Sequence, residues 1–164
     1  MRIEEINALE RPAFVARFGF LFEYSPWIVE QAWDRRPFAD FDAMQDALME
    51  VVAESPPESQ LGLLRAHPQL ARKVAMTAES TAEQASAGLD RLSREEFDLF
   101  HRLNDAYNAK FGFPFIICVR LTDKAGILSA MDARLHNSSE REMATALEEV
   151  GKIVDLRLKD AVMP

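Results

Sequence analysis

From Ser93 to Gly112 the chain reads SREEFDLFHRLNDAYNAKFG, and its large apolar residues, Phe97, Phe100, Leu103, Tyr107 and Phe111, recur at the spacing that puts them on one face of an α-helix. Both ends are marked. Ser93, followed three residues later by Glu96, matches a capping box, in which a hydroxyl and a carboxylate satisfy the amides a helix start leaves open, and Gly112 supplies the left-handed stop. Such a helix must lay its apolar face on something, and the rest of the chain offers more helices. SPWIVEQAW has Ser25 as N-cap and Pro26 at the first helical position, and DFDAMQDALMEVV repeats Phe41, Met44, Leu48 and Val51 or Val52. From about Ser139 to Lys159 a further helix opens on a second capping box, Ser139 with Glu142, and buries Met143, Leu147, Val150, Ile153 and Val154, with Arg157 on the same face. Only FPFIICV departs from this pattern, as a short buried extended or irregular piece bracketed by Gly112, Pro114 and Thr122. The expected architecture is all-α, a single-domain bundle of roughly eight helices over residues 1–164.

Composition narrows the function. With 48% hydrophobic and 28% charged residues and only 6 glycines, the 164 residues can bury one sizeable core. The formal charge of −8 comes with no cluster of lysine or arginine, which argues against nucleic acid as a partner; an anionic substrate would need local arginines. A lone cysteine, Cys118, permits no intramolecular disulfide and suits a reducing compartment, and inside FIICV it reads as a small core residue. The start MRIEEINALERP has neither a basic nor an apolar leader region, and no run is apolar for the 18 or so residues a membrane span needs, so a cytoplasmic protein without membrane contact is expected. Three histidines show no ligand spacing such as H-E-x-x-H, so no metal site is expected; His101 and His136 read as solvated or dipole-pairing residues. There is no P-loop, dinucleotide fingerprint or nucleophile elbow.

Two polar islands remain. LLRAHPQLARK places His67 directly before Pro68, where the helix carrying Leu61, Leu63 and Leu64 has to end, because a residue before proline is pushed out of the α region. An imidazole there is either a cap for the last carbonyls or a rigidly aimed functional group. A dozen residues on, ESTAEQASAGLD has two readings. Ser80 with Glu83 makes a capping box, or a helix N-terminus presents Ser80, Glu83 and Gln84 into a pocket where amides and a carboxylate hold a polar ligand.

FEYSPWIVEQAW with RPF, AHPQLA, STAEQASAGLD, FHRLNDAYNAKFGFPFIICVR and RLHNSSEREMATALEEVGKIVDLRL together resemble, in order and spacing, the 2-oxo-4-hydroxy-4-carboxy-5-ureidoimidazoline (OHCU) decarboxylase family of urate degradation, over nearly the whole chain. Gln69 departs from the acidic residue the family often has after His-Pro, a difference of fine tuning. The resemblance implies a cofactor-free carboxy-lyase that takes OHCU to (S)-allantoin, on an all-helical and usually dimeric fold.

For that chemistry, loss of carbon dioxide leaves an electron pair that the substrate's own carbonyl and nitrogen system delocalises, so the protein has to orient the carboxylate, stabilise developing charge and deliver a proton to one face. On the family's pattern His67 lies beside the scissile carboxylate and hydroxyl and takes part in proton transfer, with Pro68 fixing its direction. Glu83 hydrogen-bonds ring or ureido N–H groups and shares proton traffic, and Ser80 and Gln84 orient the ligand. Backbone groups of Phe115, Ile116, Ile117, Cys118 and Val119 line the pocket. Arg157 grips a carboxylate or carbonyl, unless it snorkels. Arg120 is a second candidate for that grip, or pairs with acidic residues at a rim or dimer interface. Two other readings use the same residues: a non-catalytic helical interaction module, and an enzyme acting on a different ureido or imidazoline compound.

Overall fold

The computed structural model describes residues 1–71 and 76–162. Among the described residues all regular structure is helical: α1 (Ile3–Asn7), α2 (Arg11–Phe18), α3 (Trp27–Trp33), α4 (Phe41–Glu54), α5 (Pro57–Arg65), α6 (Ala78–Ser86), α7 (Arg94–Phe111), α8 (Lys124–Arg134) and α9 (Ser139–Val162), with 3-10 turns at Gly19–Leu21 and Val119–Leu121. The all-α class is as expected, with one helix more than the eight. A five-residue helix such as α1 is too short to show a period.

The chain divides into two compact units, Met1–Ala66 with Gly151–Pro164, and His67–Val150. In the first, α2 packs on α3 and α3 on α4. Phe14 centres an aromatic group there, with Phe18 at 5.3 Å and Phe38 at 6.3 Å between ring centroids. Arg36 lies over the Trp33 ring at 3.9 Å and donates to the carbonyls of Asn7 (2.6 Å) and Trp33 (2.8 Å), which joins the loop after α3 to the end of α1. In the second unit α7 carries the core: Phe100 and Tyr107 are fully buried, and Tyr107 meets Phe113 and Phe115 edge-on.

Local signals set most of the helix ends. The Ser93–Glu96 capping box forms in full and Gly112 ends α7 at φ 79°, in the left-handed region where glycine carries no Cβ penalty. Asp40 caps α4 and Asp123 caps α8 through their side chains. Two expected caps are corrected. Ser25 is buried and donates its hydroxyl to the Glu23 carbonyl, so α3 starts at Trp27 with Pro26 at its cap. At α9 the serine that accepts from a first-turn amide is Ser138, from Arg141 N–H at 3.2 Å, one residue before the expected Ser139. Glu142 is withdrawn from capping altogether and buried. The buried face of α9 is turned accordingly: Glu142, Ala146, Glu149, Val150, Val154, Arg157, Leu158 and Val162 are buried, while Met143, Leu147 and Ile153 are half-buried. Three charged residues occupy that face, and each has a polar partner there that offsets desolvation.

Candidate active site

α5 ends at Arg65 with Ala66 as its cap, as the His-Pro pair requires, and His67 follows, half-buried, in non-helical chain. The four residues after it are held at their far end from two helices. Asn104 of α7 donates from Nδ2 to the Leu70 carbonyl (2.8 Å), and Ala71 N–H donates to Oε1 of Gln84 on α6 (3.1 Å). Ala71 sits at φ 61°, a left-handed conformation that costs a non-glycine residue about 1–2 kcal/mol, so these two bonds hold a turn the chain would not otherwise favour.

The N-cap of α6 is Thr77, whose hydroxyl accepts from Ser80 N–H at 3.2 Å, so the Ser80–Glu83 capping-box alternative is replaced by a start three residues earlier. Ser80 and Gln84 are each 6% exposed and Glu83 is half-buried. Spaced three and four apart, Ser80, Glu83 and Gln84 share a face of α6. The Gln84 amide is engaged within the protein, its oxygen by Ala71 and its nitrogen by the Met76 sulfur at 3.3 Å. Gln84 also borders a cavity of about 710 Å³ with Thr81, Leu89 and Phe97, whose lining carries neither His67 nor Glu83.

The FPFIICV segment is irregular and buried, as expected, with Ile117 its one half-buried side chain between Phe113 and Val119. Its backbone is fastened by charged side chains: Arg134 Nη1 donates to the Ile116 carbonyl (2.8 Å), and Cys118 N–H donates to Glu149 Oε1 (3.2 Å). Arg134 also donates from Nε to Glu142 (2.8 Å), stacks over Phe115 at 4.3 Å, and shares Glu142 with the Tyr107 hydroxyl (2.6 Å) and Asn137 (2.9 Å). Burial, with Glu142 as hydrogen-bond partner, pushes the Tyr107 phenol well above its ordinary range. The Cys118 thiol is likewise pushed up, by burial first, then by the charge of Glu149, with a smaller contribution from Glu83. The turn Val119–Leu121 packs against α6, which puts the end of this segment beside the helix that bears Ser80 and Glu83. Arg120 is exposed on that turn.

His67, Pro68, Ser80, Glu83, Gln84, Phe115–Val119 and Arg120 therefore all belong to one compact unit, and Arg157 belongs to the other. Arg157 does not snorkel. It is 4% exposed, donates from Nη2 to Glu23 Oε1 (2.7 Å), itself buried, and from Nη1 to the Phe20 carbonyl (3.1 Å).

Sequence reasoning missed Asn104, Arg134, Glu142 in its buried role, and Glu149. The signal for Asn104 was present: it interrupts the apolar stripe of α7 between Phe100 and Tyr107. Asn104→Ala leaves the buried Leu70 carbonyl without its partner. The expected loss is about 1–3 kcal/mol of stability by denaturant unfolding, together with lower activity because the His67 segment loses an anchor.

Among the described residues no group of three or more His, Cys, Asp or Glu could hold a metal ion, and no helix is long and apolar enough to cross a membrane. A protein-family model for OHCU decarboxylase matches residues 7–159. The 2-oxo-4-hydroxy-4-carboxy-5-ureidoimidazoline decarboxylase of Haloferax volcanii is 42% identical over 160 residues, covering 98% of this chain and 95% of its own. Among solved structures, (S)-allantoin synthase superposes with a TM-score of 0.78 at 26% identity, over 99% of this chain and 54% of that one. OHCU decarboxylase in the presence of (S)-allantoin gives 0.69 at 25% identity, over 84% and 91%. A match that runs almost end to end in sequence and in helical architecture leaves one assignment: the chain belongs to the OHCU decarboxylase family.

Proposed function

We propose that this protein decarboxylates 2-oxo-4-hydroxy-4-carboxy-5-ureidoimidazoline to (S)-allantoin in urate breakdown, without a cofactor, with His67 and Glu83 as its catalytic residues. The observation that carries the reading is the bond from Ala71 N–H to Gln84, backed by the Asn104 bond to Leu70, because it ties two of the three stretches most specific to the family, the His-Pro pair and the Ser-x-x-Glu-Gln element, within one unit. Related enzymes bear the activity in their names, and one was solved in the presence of (S)-allantoin.

In this mechanism the bond between the ring carbon and the carboxylate breaks, carbon dioxide leaves, and the electron pair is taken up by the adjacent ring system. His67, an imidazole that can both give and take a proton, assists departure of the carboxylate and moves the proton. Glu83 holds ring or ureido N–H groups, and Ser80, Gln84 and Pro68 set the ligand's orientation against Phe115–Val119. The carbon that loses carbon dioxide keeps its oxygen and becomes the ring carbonyl, its hydroxyl proton passing to the ring nitrogen that took up the electron pair. Protonation of the neighbouring ureido-bearing carbon from one face gives the product its hand. Arg120 and Arg157 are the cationic groups assigned to the substrate's oxygens. A substrate contact at Arg157 requires it to share its guanidinium with Glu23.

The 164 residues act in this reading as one catalytic domain, in the cytoplasm, which the single thiol suits, and as a homodimer by analogy with the family. The test is circular dichroism during urate breakdown by urate oxidase and hydroxyisourate hydrolase, with and without this protein. Faster loss of the intermediate with an optically active allantoin signal supports the assignment. A rate and signal equal to the protein-free control, with the protein folded, overturns it and favours an enzyme of another ureido compound or a non-catalytic module.

A further inference from the structure

In non-helical, extended chain the backbone N–H and C=O of one residue point to one edge and those of its neighbours to the other. Between Phe115 and Cys118 one edge is fastened by side chains. The Ile116 carbonyl is held by Arg134 of α8, and the Cys118 amide by Glu149 of α9. Cys118 has φ −73° and ψ 93°, in the extended region, consistent with this alternation. Phe115 and Ile117 alternate with these residues in sequence, and neither forms a backbone hydrogen bond with another described residue. Ile117 is also the half-buried side chain of the segment. Backbone groups at such depth are rarely left without partners, and a donor and an acceptor on one residue match the –NH–C(=O)– edge of a cyclic ureide at two points.

Building on the decarboxylase reading, we propose that Glu149 and Arg134 are positioning residues: they clamp the 116/118 edge so that the N–H and C=O of Ile117 are presented to the ring amide of the substrate. Glu142 belongs to the same device. It fixes the Arg134 guanidinium through Nε while Nη1 reaches Ile116, and Tyr107 and Asn137 fix Glu142 in turn. None of these side chains touches the reacting atoms; they set the geometry of an edge that does. Both fastenings run from a side chain of a neighbouring helix to a backbone atom of the segment.

The variant that tests this is Glu149→Met, which keeps the bulk and removes the acceptor, compared with Glu149→Gln, which retains a carbonyl oxygen for Cys118 N–H. Both are assayed on the full chain by initial rates over a range of enzymatically generated intermediate. A displaced binding edge raises KM for Glu149→Met about tenfold while kcat changes far less, and Glu149→Gln restores most of the loss. A purely structural role lowers the melting temperature with KM unmoved, and that outcome overturns the proposal. So does a Glu149→Gln variant as impaired as Glu149→Met, since the charge rather than the acceptor would then matter. If Glu149→Met does not fold, Glu149→Asp draws the acceptor back by one methylene and has to shift KM in the same direction. An active wild type with unshifted KM in the variants sinks the clamp alone; an inactive wild type sinks the decarboxylase reading and the clamp with it.

Discussion

Replacing His67 by alanine lowers kcat by about 10²–10⁴-fold, the range expected for losing a positioned acid–base group, and leaves the melting temperature close to that of the wild type. The second half follows from its place: His67 is half-buried in non-helical chain after α5, and its replacement keeps the bonds that hold Leu70 and Ala71. The dichroic assay reads the first half, since residual conversion would drift toward racemic allantoin. Glu83→Gln is expected to act in the same direction, on rate or affinity more than on stability, because Thr77 and not Ser80 caps α6 and Glu83 has no capping duty to lose. A fully active His67→Ala protein removes His67 from the mechanism, and a Glu83→Gln protein that differs only in melting temperature removes Glu83.

Glu23→Ala has the largest expected cost in stability. It strips a buried guanidinium of its carboxylate, and breaking a buried pair from one side costs about 3–5 kcal/mol. For a chain of this size that corresponds to a fall in Tm of roughly 6–20 °C. The double variant Glu23→Leu/Arg157→Met fills the space with apolar bulk and should recover most of the loss, because a hydrophobic replacement of a buried pair is often neutral. Assayed for turnover, the same double variant isolates the second role given to Arg157. Restored stability with restored activity makes the arginine structural; restored stability with kcat/KM down tenfold or more makes it a substrate contact as well.

The helices were legible wherever an apolar period ran for three turns or more between clear caps, as α4 and α7 show. The family motifs singled out His67, Glu83 and the FPFIICV segment, which fall in one compact unit. What the sequence hid is of one kind. Glu142 follows a serine at the spacing of a capping box, and glutamate at a helix start is ordinarily solvated, so only the three-dimensional convergence of Tyr107, Arg134 and Asn137 reveals why it is buried. Glu149 was hidden for the same reason: its partner is a backbone amide 31 residues away, and no local spacing announces a bond of that range. Thr77 was missed as a cap because Ser80 offered a better-known pattern three residues later.

Cys118 gives the protein an internal clock. Its side chain is buried, its amide is tied to Glu149, and as the one cysteine in the chain it is the sole site for a thiol reagent. Alkylation of the native protein therefore has to wait for the segment to swing open, and the ratio of its rate to that of the unfolded chain measures the free energy of that excursion directly: about 3 kcal/mol slows labelling roughly 150-fold. Ligand that binds along the segment closes the window further, by a factor that grows with occupancy. The rate of one covalent reaction, followed by mass, thus reports how often the wall of the candidate site comes apart, with no residue of the protein changed to carry the label.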